Sequence, residues 1–196
     1  MHDQHTEDWH HVQDALEVQD ALGGDLAGNH WEALVTAQHR ANFELWHEED
    51  KARVPGVADS EIVRVKHAID TLNQRRNDLA EGMDCVLIEG VTQNPQATLH
   101  SETPGLMIDR MSILALKIYH TREETHRESA TVEHRAKNLK RLDVLEVQRF
   151  DLAACLDELW AQVRNGTRRF KLYRQMKMYN DPELNPAVYG RGQPDS

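Results

Sequence analysis

Two stretches of this chain repeat apolar residues at alternating steps of three and four, and an arginine interrupts each repeat near its middle. The first is Ile62, Val65, Ile69, Leu72, then Arg76, then Leu79, Met83 and Val86; the second is Leu142, Leu145, then Arg149, then Leu152, Leu156, Leu159 and Val163. Such spacing places one residue per turn on a single helical face. It demands long helices that pack along their length. A guanidinium keeps its charge, so an arginine on such a face must reach out to solvent or meet carboxylates or a bound anion.

Stop and start signals place the remaining elements. Glu7 to Leu22 reads as a short helix ended by Gly23 and Gly24, and it contains VQDAL twice, six residues apart. That step does not preserve a helical face, so the repeat reads as a neutral duplication. A second helix spans about His30 to Arg53 and stops at Val54, Pro55 and Gly56. A third opens at Asp59 or Ser60 and runs to about Glu89. A fourth starts at Thr103 with Pro104 in its first turn, where a missing N–H costs nothing, and ends near Arg122 to His126. The fifth covers about Ala130 to Arg164, ahead of Asn165 and Gly166. No strand-like alternation is found. The expected class is all-α: an antiparallel bundle of four long helices, a short N-terminal helix and a basic C-terminal tail. Segment boundaries are expected at 1–29 (acidic, His-rich, with the short helix), 30–166 (the bundle) and 167–196 (a basic aromatic tail or lid).

Polar residues line the edges of the apolar seams. Asp70, Asn73, Asn77, Glu81 and Asp84 form a stripe beside the third helix's seam, with Lys66 preceding them. Asparagine is a poor helix former, costing roughly half a kcal/mol relative to Ala, so two of them one turn apart suggest amides in use. The second helix repeats the pattern, with Asn42, Trp46, Glu49 and Arg53 beside Trp31, Leu34, Ala41 and Leu45. The fourth, LMIDRMSILALKIYH, is apolar on nearly every side yet carries Asp109, Arg110 and Lys117, whose charges need partners. Arg76 and Arg149 are therefore expected within salt-bridging reach of Glu49, Glu81, Asp84 or Asp109. A purely structural network fixing helix register explains the same residues without a ligand.

With 196 residues, 39% hydrophobic content and a net charge of −10, the chain can bury one sizeable core and is ill suited to bind nucleic acid or an anionic membrane non-specifically. Two cysteines, Cys85 and Cys155, show no metal-type spacing and read as small core residues in a reducing compartment. The His-rich start lacks the order of a secretion signal, and charges break the longest apolar runs, so no membrane span and a cytoplasmic location are expected. Between Arg164 and Lys177 basic residues alternate with Phe170 and Tyr173, with no acidic ones. That tail fits either a lid over an anion or a segment docked on the protein's own acidic bundle.

Four stretches carry a family likeness: NFELWHEEDKAR (Asn42 to Arg53), IDTLNQRRND (Ile69 to Asp78), ETPGLMIDRMSILALKIYH (Glu102 to His120) and YRQMKMYNDPELNP (Tyr173 to Pro186). Together they resemble the uncharacterised bacterial family called domain of unknown function 4254, over about Trp31 to Pro186. The resemblance carries no activity. Its members are met near glycosyltransferases of envelope-polysaccharide assembly, and it implies a context of that kind.

Three functional readings follow. In the first, a central charged site binds a phosphorylated small molecule such as a nucleotide or nucleotide-sugar. Arg76, Arg110, Lys117 and Arg149, with Asn73 and Asn77, would hold the anion, and Glu49, Glu81 and Asp84 a magnesium ion, the cofactor this reading admits. Its enzymatic form would be a metal-dependent phosphohydrolase or pyrophosphatase. The second is a non-catalytic helical adaptor in envelope-polysaccharide assembly, with a structural charge network. The third is a di-metal carboxylate bundle built on the E-x-x-H pairs Glu44–His47 and Glu123–His126; these sit near helix ends and are expected to lie apart. The expected partner is an anionic small molecule, and the sequence is compatible with a homo-oligomer.

Overall fold

A computed structural model describes residues 29–174 of the chain. The short helix over Glu7 to Leu22, its VQDAL repeat and the tail beyond residue 174 lie outside the described residues. Four long helices dominate: α1 (Asn29–Lys51), α2 (Asp59–Gly90), α3 (Pro104–His126) and α4 (Val132–Arg164). The all-α bundle read from the periodicity is what is found. The helices pack as two hairpins, α1 on α2 and α3 on α4, joined through α3. Among the described helices only α3 makes close backbone contact with all three others, and α4 makes it with α3 alone.

Two strands of two residues each add a feature that alternation could not reveal. β1 (Thr98–Leu99) pairs in parallel with β2 (Arg168–Arg169), tying the loop after α2 to the segment after α4. Side chains reinforce this clasp. Asn94 Nδ2 donates to the Gly166 carbonyl at 3.0 Å, Arg169 Nε to the Ala97 carbonyl at 2.9 Å, and the Phe170 amide to Gln93 Oε1 at 2.8 Å. Phe170 is thereby buried as part of the hydrophobic core. The first residues of the basic tail thus dock on the bundle as backbone, and their anchor is an aromatic side chain.

The core cluster draws on Trp31 and Val35 of α1, Ala80, Met83 and Leu87 of α2, Met107, Ile108 and Met111 of α3, and Leu152, Leu156, Leu159 and Val163 of α4. On α4 the expected seam is buried from Leu152 onward. On α2 the face turns: Ala80, Asp84 and Leu87 are buried, Leu79 is half-buried and Ile62 is exposed. The reason lies at the start of α3. Thr103 caps that helix, its Oγ accepting from the Leu106 amide at 3.3 Å, and Pro104 occupies the first turn. Gly105 then lets the helix end press on α2. A Cβ there would collide with the Ala80 carbonyl oxygen and lie 2.9 Å from Asp84 Cγ.

The cysteines depart from expectation. Both are free, but Cys85 is half-buried and Cys155 exposed, because residue 155 lines an open groove between α3 and α4. No described helix is long and apolar enough to cross a membrane.

The close approach at Gly105 has a measurable cost of interruption. Gly105→Ala must push α3 away from α2, and is expected to lower unfolding free energy by about 2–3 kcal/mol in urea titrations. A neutral result would show that the contact between the helices is loose.

Candidate functional site

The charged groups converge on one buried carboxylate. Asp109, 5% exposed, sits in the second turn of α3 on the face that meets α1 and α2. Its Oδ1 accepts from Gln38 Nε2, from Asn42 Nδ2 at 3.1 Å and from Arg76 Nε at 2.9 Å; Oδ2 lies 3.2 Å from the same Nε. Three helices thus supply the donors and acceptor of one ion-pair network. Arg76 keeps about a quarter of its side chain exposed, and its Nη1 donates to Asn73 Oδ1 at 3.4 Å. A buried acid with a guanidinium and two amides has its lone pairs satisfied, which is the condition for keeping such a charge inside a core.

The polar layer continues along α1. Asn42 Nδ2 also reaches Ser112 Oγ at 3.0 Å and Gln38 Oε1 at 3.3 Å, and His39 Nδ1 lies 2.7 Å from Ser112 Oγ. A carboxylate only accepts, so the Asn42 amide must turn its nitrogen toward Asp109. Its oxygen is then left buried with no hydrogen-bond partner among the described residues. Asn42 forms part of the wall of a cavity of about 350 Å³, together with Trp46, Glu49, Asp50, Arg53 and Arg76. Behind Trp46, His120 stacks with a ring separation of 4.9 Å, and its Nδ1 lies 3.1 Å from Glu123 Oε2.

Of the expected anion-binding residues, the structure brings together Arg76 and Asn73, with Asn77 half-buried one turn further along α2. Arg110 and Lys117 project from another side of α3, into an open groove of about 700 Å³ between α3 and α4, where Arg110 Nη1 pairs with Glu102 at 2.7 Å. Arg149 is half-buried on α4. The pairing expected for Arg76 is therefore present, with Asp109 as its acid, and Arg110 and Lys117 lie on a different face of α3 from the one Arg76 meets.

Glu49, Glu81 and Asp84 do not form a metal set: among the described residues no three His, Cys, Asp or Glu side chains gather closely enough to hold an ion. Glu49 pairs with Arg53 at 2.9 Å at the cavity mouth, whereas Asp84 is buried under the start of α3. The E-x-x-H residues each engage a partner outside the two pairs. Glu44 pairs with Arg40 at 2.8 Å, His47 stacks edge-on against Phe43, Glu123 meets His120, and His126 Nδ1 contacts the Arg122 carbonyl.

Gln38, His39 and Ser112 escaped the sequence reading. A signal existed for the first: Trp31, Val35, Gln38 and Asn42 follow steps of four, three and four, so Gln38 continues an apolar face as Arg76 does on α2.

Asp84 is the second buried carboxylate, and its surroundings differ. It accepts from the Gly105 amide at 2.7 Å and from the Thr103 hydroxyl, with no cation beside it among the described residues. Burial outweighs these bonds and pushes its pKa from 3.8 to about 6, and nearby Glu81 adds to the rise.

The chain belongs to the family described as protein of unknown function (DUF4254), whose profile matches residues 32–172. No curated protein and no solved structure matches it significantly.

The pKa of Asp84 has a consequence with a definite sign. The native state holds this proton more tightly than the unfolded chain, so the contribution is most favourable below pH 4 and is lost as pH rises through 6. The full difference corresponds to about 3 kcal/mol. The stability gain of Asp84→Asn over wild type is accordingly expected to grow by about that amount between pH 4 and pH 7.5 in urea unfolding. An unchanging difference would contradict the burial of an unpaired acid.

Proposed function

We propose that the cavity between α1, α2 and α3 binds a phosphorylated small molecule. The observation that carries this reading is the cavity lining, which presents two guanidiniums, Arg53 and Arg76, and the Trp46 indole to one space. Arg53 and the open edge of Arg76 would take phosphate oxygens, and Trp46 offers a flat face for a sugar or base.

Size narrows the class. At about 350 Å³ the cavity is near the lower end of small-molecule sites. It suits a sugar phosphate or a nucleoside monophosphate better than a whole nucleotide-sugar, the remainder of which would project past Asp50. A magnesium ion would enter with the phosphates, since it usually keeps several waters and needs only one or two protein carboxylates. Glu49 and Asp50, which line the cavity, would supply them. The chemistry such an ion supplies is neutralisation of phosphate charge.

Thermal unfolding and calorimetric titration with glucose 1-phosphate, UMP, GMP and UDP-glucose, each with and without magnesium, test the proposal. A binder of the folded state should raise the unfolding midpoint. Trp46→Ala and Arg53→Met, both changes at partly exposed side chains, are each expected to weaken that ligand about ten-fold or more, as loss of stacking or a charged hydrogen bond does. Product formation in the magnesium samples would extend the function to hydrolysis. No stabilisation by any compound at millimolar concentration, or equal affinity in both variants, would overturn it.

A further inference from the structure

A ridge on α3 runs between two concavities. Arg110, Ile113 and Lys117 follow one another at steps of three and four, so they share one face of the helix. On one side lies the cavity bounded by Trp46, Arg53 and Arg76, and on the other the groove between α3 and α4. Ile113 is the one residue that lines both. The two spaces therefore adjoin at a half-buried apolar side chain, with a cation one turn before it and another one turn after it.

Both cations have donors to give. Lys117 is exposed and makes no ion pair among the described residues. Arg110 donates through Nη1 to Glu102 at 2.7 Å, which steadies its guanidinium, yet more than half of its side chain stays exposed. A guanidinium carries five N–H donors, so most of them remain for a second acceptor. The step from residue 110 to residue 117 separates the two backbones by about 10 Å along the helix axis, which leaves a gap over Ile113 wide enough for a ligand chain to pass.

From this juxtaposition we infer that the ligand of the cavity carries a second anionic group, which passes over Ile113 and is received by Arg110 and Lys117. This rests on the cavity being a phosphate site, and it narrows the ligand to a doubly anionic class such as a bisphosphate. The groove by itself is no trap for anions, because Glu102 and Asp151 line it alongside the two cations. A ligand already anchored by Arg53 and Arg76 escapes that limit. Its second group is presented on the α3 side at high local concentration, where charge-assisted hydrogen bonds reward it. A monophosphate fills the cavity and leaves the ridge idle; a bisphosphate engages both.

Calorimetric titration of the full chain at fixed ionic strength tests the inference with matched pairs: glucose 1-phosphate against glucose 1,6-bisphosphate, and UMP against uridine 3′,5′-bisphosphate. In at least one pair the bisphosphate is expected to bind about ten-fold or more tightly, the gain of a hydrogen bond to a charged group. Lys117→Met and Arg110→Met should each reduce that advantage and together abolish it, with monophosphate affinity and helical circular dichroism unchanged. Lys140→Met removes the same charge from a part of α4 outside the groove and should leave the advantage intact. Monophosphate binding with no bisphosphate advantage, an advantage that survives the combined Arg110 and Lys117 changes, or one lost equally in Lys140→Met would overturn the inference and leave the reading of the cavity standing. Binding by neither member of either pair would overturn both.

Discussion

One carboxylate in an apolar setting organises this fold. Asp109 lies on the helix that touches every other helix, and it draws its donors from α1 and α2. Burying an acid is costly, and the cost is offset only where donors converge with good geometry. Gln38, Asn42 and Arg76 can all reach it only when three helices are in one register, so a slip of either neighbour by a turn would strand the charge. Hydrophobic burial supplies most of the driving force for packing, but it is tolerant of small shifts. The ion-pair network is not.

The same network shapes the cavity. Because Arg76 commits its Nε to Asp109, its outer edge is held toward the opening lined by Trp46, Glu49 and Arg53. Because Asn42 gives its nitrogen to Asp109 and Ser112, its oxygen is fixed as an acceptor. Asp84, by contrast, has backbone and hydroxyl partners but no cation among the described residues, and it serves the junction where Gly105 brings α3 against α2. Two acids on neighbouring helices thus settle differently: one is ionic and central, the other raised in pKa by burial beneath a helix end.

Helix number, approximate bounds and the meaning of Arg76 were legible in the sequence because each rests on spacing along one chain. A charged residue on an apolar seam announces that a partner exists. It does not say which carboxylate will be near, since that depends on how helices rotate and on which ends meet. Hence Asp109 was one candidate among four, and Arg110 and Lys117, adjacent to it in sequence or spacing, turned out to face a different groove. Asp84 was misread as the rim of a seam because the role of Gly105 in turning α2 is a contact between helices. Gln38 and Ser112 were missed for the opposite reason: neutral polar residues inside an apolar pattern look like imperfections until a charge is found beside them. The β1–β2 clasp, at two residues per strand, leaves no periodic trace at all.

The central claim is that Arg76 and Asp109 form one energetic unit on which the register of three helices depends. A double-mutant cycle measures this directly: urea unfolding of wild type, Arg76→Met, Asp109→Asn and the double variant. Removing one member of a buried pair leaves the other uncompensated, so each single change is expected to cost about 3–5 kcal/mol. The double change should cost far less than the sum, with a coupling energy of about 2–3 kcal/mol. Additive losses, with coupling within about 0.5 kcal/mol, would show that the two residues act independently and would contradict the account.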